Sequence, residues 1–178
     1  FDLSFQAYDP YVDAASMTSA GVRPATLNEV LSESDFVSLH CPLTEETHHL
    51  IGERELRMMK RGAFLINTSR GQVIDEPALV RALAEGWIAG AGLDTFDHEP
   101  TAADNPLLKL DNVVATPHVA GYSDRHSDAT WRLSTETVID LSKGRVPKAY
   151  VNHDVRPRMR LSPEQGSSAA VHVPYETC

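Results

Sequence analysis

Three residues that lie far apart in the chain, Arg70, Glu99 and His118, have side chains suited to binding an anion and moving a proton. An arginine can hold a carboxylate through two parallel hydrogen bonds. A histidine titrates near neutral pH, so it can give a proton and take it back. A carboxylate beside a histidine favours the charged ring and orients it. The three types together predict a site for an anionic substrate that gains or loses a proton.

Each of the three follows a short apolar run, and such runs, bounded by Gly, Pro and polar residues, are typical of buried parallel strands. The carboxyl ends of parallel strands meet at one edge of the sheet, where ligands bind. We therefore expect Arg70, Glu99 and His118 to converge there, with Glu99 and His118 within a hydrogen bond or one water of each other. The predicted strands are residues 3–8, 36–40, 63–67, 88–93 and 113–116.

Helix patterns alternate with these strands. Thr26 and Glu29 fit a capping box, and Asp75, Pro77 and Gly86 fit the cap, first turn and end of another helix. Repeated strand–helix alternation predicts the α/β class, a Rossmann-type parallel sheet with flanking helices, incomplete at the N-terminus. The other predicted helices are residues 52–61 and 123–143. One face of the latter packs on a partner domain or subunit, or in the core.

Asp9 follows the first strand, where an acidic residue accepts hydrogen bonds from a nucleotide ribose. The G-x-G-x-x-G turn that precedes such an acid is not found, and Gly90 and Gly92 do not supply it because Thr95 stands at the third position. We expect the chain to be a C-terminal part of a longer protein. Asp9 would also repel a 2′-phosphate, which favours NAD over NADP.

Composition excludes several classes of function. The 178 residues carry a formal net charge of −9, which argues against a nucleic-acid partner. No apolar run approaches the roughly 18 residues of a membrane span. No His/Cys cluster has metal-ligand spacing. With only two cysteines, Cys41 and Cys178, a reduced cytoplasmic setting is expected.

Over roughly residues 1–158 the motifs resemble the D-isomer-specific 2-hydroxyacid dehydrogenase family, which includes phosphoglycerate dehydrogenase. The motifs stand in the family's order and spacing. They are His40-Cys41-Pro42-Leu43-Thr44 with Thr47-His48-His49-Leu50-Ile51, Asn67-Thr68-Ser69-Arg70-Gly71 with Val73-Ile74-Asp75, Gly92-Leu93-Asp94 with Glu99-Pro100, and Thr116-Pro117-His118.

The resemblance implies an NAD-dependent oxidoreductase that interconverts a D-2-hydroxy acid and its 2-keto acid, and a homodimer when full length. Arg70, Glu99 and His118 would be the catalytic residues. The residues implied to contact the cofactor are Asp9, Cys41, Pro42, Thr68, Ser69, Arg70, Asp94, His118 and Gly121. Of these, Thr68, Ser69 and Asp94 would contact the nicotinamide and its ribose.

The resemblance and the composition together divide the chain into three parts. Residues 1–145 would be a partial NAD-binding Rossmann domain, and residues 146–160 would return toward a substrate domain. Residues 161–178 lack periodicity and are rich in Ser, Pro, Gln and Gly, which predicts a disordered tail.

Two alternatives to this enzyme fit the motifs. The C-terminal-binding corepressors share this fold, bind NAD, retain similar Arg, Glu and His motifs, and act mainly as protein scaffolds. The Tyr122-Ser123 pair after Gly121 is faintly similar to them. An inactive fragment is the remaining alternative, because the glycine turn is not found.

Overall fold

The computed structural model of the chain describes residues 2–148, which form two compact units that divide between Ala120 and Gly121. The first unit alternates strands with helices. Its strands are β1 (Phe5–Ala7), β2 (Val22–Pro24), β3 (Phe36–Leu39), β4 (Phe64–Asn67), β5 (Gly90–Leu93) and β6 (Val113–Ala115). Its helices are α1 (Ala14–Ser19), α2 (Leu27–Glu33), α3 (Glu53–Met58) and α4 (Glu76–Ala84), with 3₁₀ turns at Gly71–Val73 and Pro106–Lys109.

Every strand pair in this unit is parallel, and the strands form two sheets. β1 pairs with β2, while the other four strands lie in the order β3-β4-β5-β6. The predicted α/β class is confirmed, and all five predicted strands are present with shorter bounds. The sequence did not predict β2 or α1. The segment that forms β2, Val22-Arg23-Pro24, has a single aliphatic residue and ends in a proline.

The core lies on one face of the four-stranded sheet. Leu65 and Leu93 point to that face and are buried, as the alternation along a strand requires. On the opposite face Phe36 and Phe64 are exposed and stack with ring centroids 5.5 Å apart. The buried face therefore holds β4 and β5 firmly, which fixes the strand ends from which the site residues project.

Helix α4 begins and ends where its local sequence predicts. The Asp75 carboxylate accepts a hydrogen bond from the Ala78 N–H at 3.2 Å, and Pro77 occupies the first turn. Gly86 follows the helix at a φ of 68°, a left-handed conformation that glycine adopts without strain. The predicted capping box of Thr26 and Glu29 is likewise present at the start of α2.

The second unit contains one long helix, α5 (Asp124–Ser142), which the pattern over residues 123–143 predicted. The Ser123 hydroxyl accepts a hydrogen bond from the His126 N–H at 3.1 Å and caps it. On its predicted apolar face Trp131 and Val138 are largely exposed. Among residues 2–148 no helix combines the length and apolar character needed to cross a bilayer.

The domain boundaries proposed from the sequence remain predictions. Most of the expected return segment, 146–160, and the whole of the expected tail, 161–178, lie outside the described residues.

Candidate active site

Arg70, Glu99 and His118 all lie in the first unit, beyond the carboxyl ends of neighbouring parallel strands. Arg70 follows β4, Glu99 follows β5 and His118 follows β6. The parallel register of these strands places their three ends side by side. The structure thus places all three residues at one edge of the sheet, while their catalytic roles stay predictions.

Glu99 and His118 form a direct hydrogen bond, with 2.8 Å between His118 Nδ1 and Glu99 Oε2. The other carboxylate oxygen of Glu99 accepts the Phe96 N–H at 3.0 Å. With Nδ1 bonded to a carboxylate, Nε2 is the ring nitrogen left to exchange a proton with a ligand. The pair can therefore hold a proton and release it from a fixed position.

The pKa of Glu99 is lowered from its ordinary value, and the hydrogen bond from His118 is the largest cause. Partial burial opposes this shift, while the Phe96 N–H and the positive charges of His118 and Arg70 add to it. The carboxylate is thus ionised at neutral pH, so it is available to stabilise an imidazolium. The charge of Arg70 also reaches this pair, which places it in the same electrostatic environment.

The backbone of His118 adopts a left-handed conformation, with a φ of 56°. Few residues other than glycine adopt this region, and such conformations cluster at functional sites where surrounding contacts enforce them. Here the His118 N–H donates to the Asp94 carbonyl at 2.9 Å, and the Thr116 N–H donates to the Leu93 carbonyl at 2.9 Å. Contacts between the ends of β5 and β6 therefore hold the histidine in place.

The Asp94 carboxylate lies buried beneath this turn and accepts three hydrogen bonds from it. The donors are the Thr116 hydroxyl at 2.5 Å, the Val119 N–H at 2.8 Å and the Ala120 N–H at 2.9 Å. Burial raises the pKa of Asp94, but these bonds outweigh burial and the net shift lowers the pKa. Asp94 therefore fixes the chain on both sides of His118, whereas its implied contact with the nicotinamide stays a prediction.

Asn67, the last residue of β4, shapes the turn that carries Arg70. Its buried amide donates to the Arg70 carbonyl at 2.8 Å and accepts from the Ser69 N–H and hydroxyl at 3.0 and 2.8 Å. The Arg70 side chain is exposed and donates to the Ser69 carbonyl at 2.7 Å. Sequence reasoning missed this role of Asn67, although a polar residue that ends an apolar strand was the available signal.

Gly71 lets the Arg70 turn approach the loop that carries Glu99. A Cβ at this position would lie 1.9 Å from the Phe96 carbonyl carbon and 2.0 Å from its oxygen. Those atoms belong to the backbone, so they cannot rotate away. Only glycine permits this contact, and it joins the two loops on which Arg70 and Glu99 lie.

We therefore expect Gly71→Ala to lower the free energy of unfolding by about 1–3 kcal/mol, the usual cost of overpacking. Urea unfolding followed by circular dichroism measures the change. Gly62→Ala is the matched control, because a Cβ there meets nothing within 4 Å. Equal stability of the two variants would contradict the close contact at Gly71.

Four of the remaining residues implied to bind the cofactor follow the ends of strands: Asp9, Cys41, Pro42 and Thr68. Their roles, and that of Gly121, stay predictions. Asp9 is half-buried and accepts the Tyr11 N–H at 2.8 Å, so it also shapes a turn. Cys41 is half-buried, and burial raises its pKa, which agrees with packing rather than nucleophilic chemistry. Pro42 and Thr68 are exposed, and Gly121 belongs to the second unit.

Comparison with known proteins connects this geometry to a family. Residues 1–120 match the model of the NAD binding domain of D-isomer specific 2-hydroxyacid dehydrogenases. A glyoxylate reductase of Korarchaeum cryptofilum is 54% identical over 135 residues, which are 76% of this chain and 41% of that protein. A D-3-phosphoglycerate dehydrogenase of Methanocaldococcus jannaschii is 38% identical over 162 residues, 90% of this chain and 31% of that protein.

A solved structure shows the same relationship. D-lactate dehydrogenase with NAD+ from Lactobacillus jensenii superimposes with a TM-score of 0.74 at 32% identity, over 83% of this chain and 48% of that one. The chain thus spans less than half the length of each of these relatives.

Proposed function

The chain belongs to the D-isomer specific 2-hydroxyacid dehydrogenase family, and from this we propose that it performs the NAD-dependent interconversion of a D-2-hydroxy acid and its 2-keto acid. The observation that carries the proposal is the hydrogen-bonded pair of Glu99 and His118 beside the Arg70 loop. A 2-keto acid presents a carboxylate and a carbonyl oxygen. Arg70 suits the first, and His118 suits the proton that the second must gain.

The residues at the strand ends fit a dinucleotide. Asp9 lies half-buried after β1, at the position where an acid accepts hydrogen bonds from a ribose. The half-buried Cys41 and the Ser69 hydroxyl lie after β3 and β4 at the same edge of their sheet. The nicotinamide cofactor, when bound, donates or accepts the hydride.

The side chains of this chain then perform the remaining steps. Arg70 binds the substrate carboxylate through paired hydrogen bonds and polarises the keto oxygen. His118 gives a proton from Nε2 to that oxygen during reduction and takes it back during oxidation. Glu99 orients the ring and stabilises the imidazolium through Nδ1. Reduction of the 2-keto acid therefore needs a protonated His118, and oxidation of the 2-hydroxy acid needs a neutral His118.

The relatives suggest which acids to test. One is named a glyoxylate reductase, another a D-3-phosphoglycerate dehydrogenase and the aligned structure a D-lactate dehydrogenase. Glyoxylate, hydroxypyruvate and pyruvate are therefore the first substrates to measure. We further propose that the protein is a homodimer in a reduced, cytoplasmic setting, supported by its family and by its having only two cysteines.

The corepressor alternative gains no support from the comparisons, since the relatives named above are a reductase and two dehydrogenases. Steady-state assays separate the two. Turnover of a 2-keto acid with NADH supports the enzyme. NADH-dependent binding of a protein partner without turnover would support the scaffold.

The proposed role of Arg70 gives a specific prediction. Arg70→Lys keeps the charge but loses the planar pair of donors, so the KM for the 2-keto acid should rise roughly tenfold or more. The KM for NADH should change less. Arg54→Lys is the control, because Arg54 is exposed and pairs with Glu55 on α3. Equal changes in the two KM values of Arg70→Lys would show that Arg70 does not bind the substrate carboxylate.

A further inference from the structure

Glu76, the first residue of α4, contacts the loop that carries Glu99 although it does not contact Glu99 itself. Its Oε2 accepts the Asp97 N–H at 3.0 Å, and its Oε1 accepts Asn105 Nδ2 at 2.8 Å. Both carboxylate oxygens are thus used. The half-buried Glu76 side chain thus connects two residues of the segment after β5, Asp97 and Asn105, to the start of α4.

An acid in the first turn of a helix is usually explained by the helix dipole and the unpaired N–H groups there. Glu29 in α2 fits that explanation, because its carboxylate accepts from the N–H and hydroxyl of Thr26 in the adjoining cap. The hydrogen bonds of Glu76 instead go to residues 21 and 29 positions further along the chain. Its contacts are tertiary, so a local helix role does not account for them.

The backbone N–H groups that donate to Glu76 and to Glu99 belong to consecutive residues. The Phe96 N–H donates to Glu99 Oε1 at 3.0 Å, and the Asp97 N–H donates to Glu76. The Asp97 carbonyl also accepts a longer bond, 3.4 Å, from Gln72 Nε2. Two consecutive N–H groups of one turn therefore donate to two carboxylates: the Phe96 N–H to Glu99, and the Asp97 N–H to Glu76.

We propose that Glu76 is a positioning residue for proton transfer: its carboxylate fixes the turn from Phe96 to Glu99 so that Glu99 stays hydrogen-bonded to His118. The proposal rests on the function proposed above. If the turn moves, Glu99 Oε2 leaves Nδ1, and the ring loses both its orientation and its stabilising charge. The side chains whose charges act on Glu99 are His118 and Arg70.

The first test is Glu76→Ala, which removes the acceptor of the Asp97 N–H in this turn and the acceptor of the Asn105 amide beyond it. We expect kcat for reduction to fall roughly 10- to 100-fold, the effect of a small misplacement of a catalytic group. The Kd for NADH should change little. The pH above which 2-keto acid reduction loses activity should move to a lower value. Glu76→Gln, which can still accept from Asp97, should recover part of the loss. Glu29→Ala, the matched first-turn control, should leave kcat unchanged.

A double-mutant cycle with Glu99→Gln separates positioning from a general structural effect. If Glu76 acts through Glu99, Glu76→Ala should cost much less in the Glu99→Gln background than in the wild type. An equal loss in both backgrounds would overturn the proposal, as would a Glu76→Ala variant with the kcat and pH dependence of the wild type. Should the alanine variant fail to fold, the same cycle with Glu76→Gln decides the question.

A readout without turnover separates this proposal from the proposed function. The pKa of Glu99 can be followed by the chemical shift of its carboxyl carbon, and it lies below its ordinary value in the structure. In Glu76→Ala it should rise toward that value, because the bond to His118 weakens. An unchanged pKa overturns the role of Glu76 even in an active enzyme. A wild type that reduces none of the three acids instead overturns the proposed function alone.

Discussion

Replacing His118 with asparagine should lower kcat for 2-keto acid reduction by roughly 10²–10⁴-fold, the range for a positioned acid or base. Asparagine can still bond to Glu99 but has no titrating group. It is also among the residue types that tolerate a left-handed backbone best, and His118 has a φ of 56°. The turn should therefore keep its shape, and the Kd for NADH should change little.

His98→Asn is the matched control for this variant. His98 is an exposed histidine whose Nδ1 lies 3.0 Å from Asp97 Oδ2, so it repeats the carboxylate–imidazole pairing outside the proposed site. Its replacement should leave kcat near the wild-type value. Near-normal turnover by His118→Asn would instead remove His118 from the mechanism and favour the corepressor alternative.

Glu99→Gln should move the pH at which keto-acid reduction fades to a lower value. The Glu99 carboxylate is ionised at neutral pH, because its pKa is lowered chiefly by the hydrogen bond from His118, and its negative charge favours the imidazolium. An amide lacks that charge, so the ring loses its proton at lower pH. We expect a shift of up to about one pH unit, because solvent reaches both side chains.

The reverse reaction should shift in the same direction in Glu99→Gln. Oxidation of the 2-hydroxy acid needs a neutral His118 ring, so the pH at which oxidation activity rises should also move to a lower value. Asp97→Asn, which changes the neighbouring carboxylate that pairs with His98, should leave both of these pH values unchanged. Values that stay in place in Glu99→Gln, or that move to higher pH, would contradict the proposed pairing.

The sequence predicted the features that depend on residues close together in the chain. Asp75, Pro77 and Gly86 set the bounds of α4 because caps and turns use residues a few positions apart. The strand ends that carry Arg70 and His118 were predictable for a similar reason, since apolar runs stop at polar residues. The motifs then supplied the pairing of Glu99 with His118.

The tertiary hydrogen bonds that hold the site residues in place could not be predicted in this way. Asp94 bonds to residues 22 to 26 positions away, and Glu76 bonds to residues 21 and 29 positions away. Such contacts depend on how β5, β6 and α4 pack, which periodicity does not reveal. The left-handed backbone of His118 was also invisible, because it is enforced by the Asp94 carbonyl and carboxylate rather than by a glycine.

The central claim is tested most directly by mixing the purified protein with NADH and pyruvate, and following NADH absorbance together with the chirality of the product. The proposed function predicts that NADH is consumed in step with formation of D-lactate, with glyoxylate and hydroxypyruvate reduced in parallel assays. Formation of the L-isomer, or NADH binding with no turnover of any of the three acids, would contradict it.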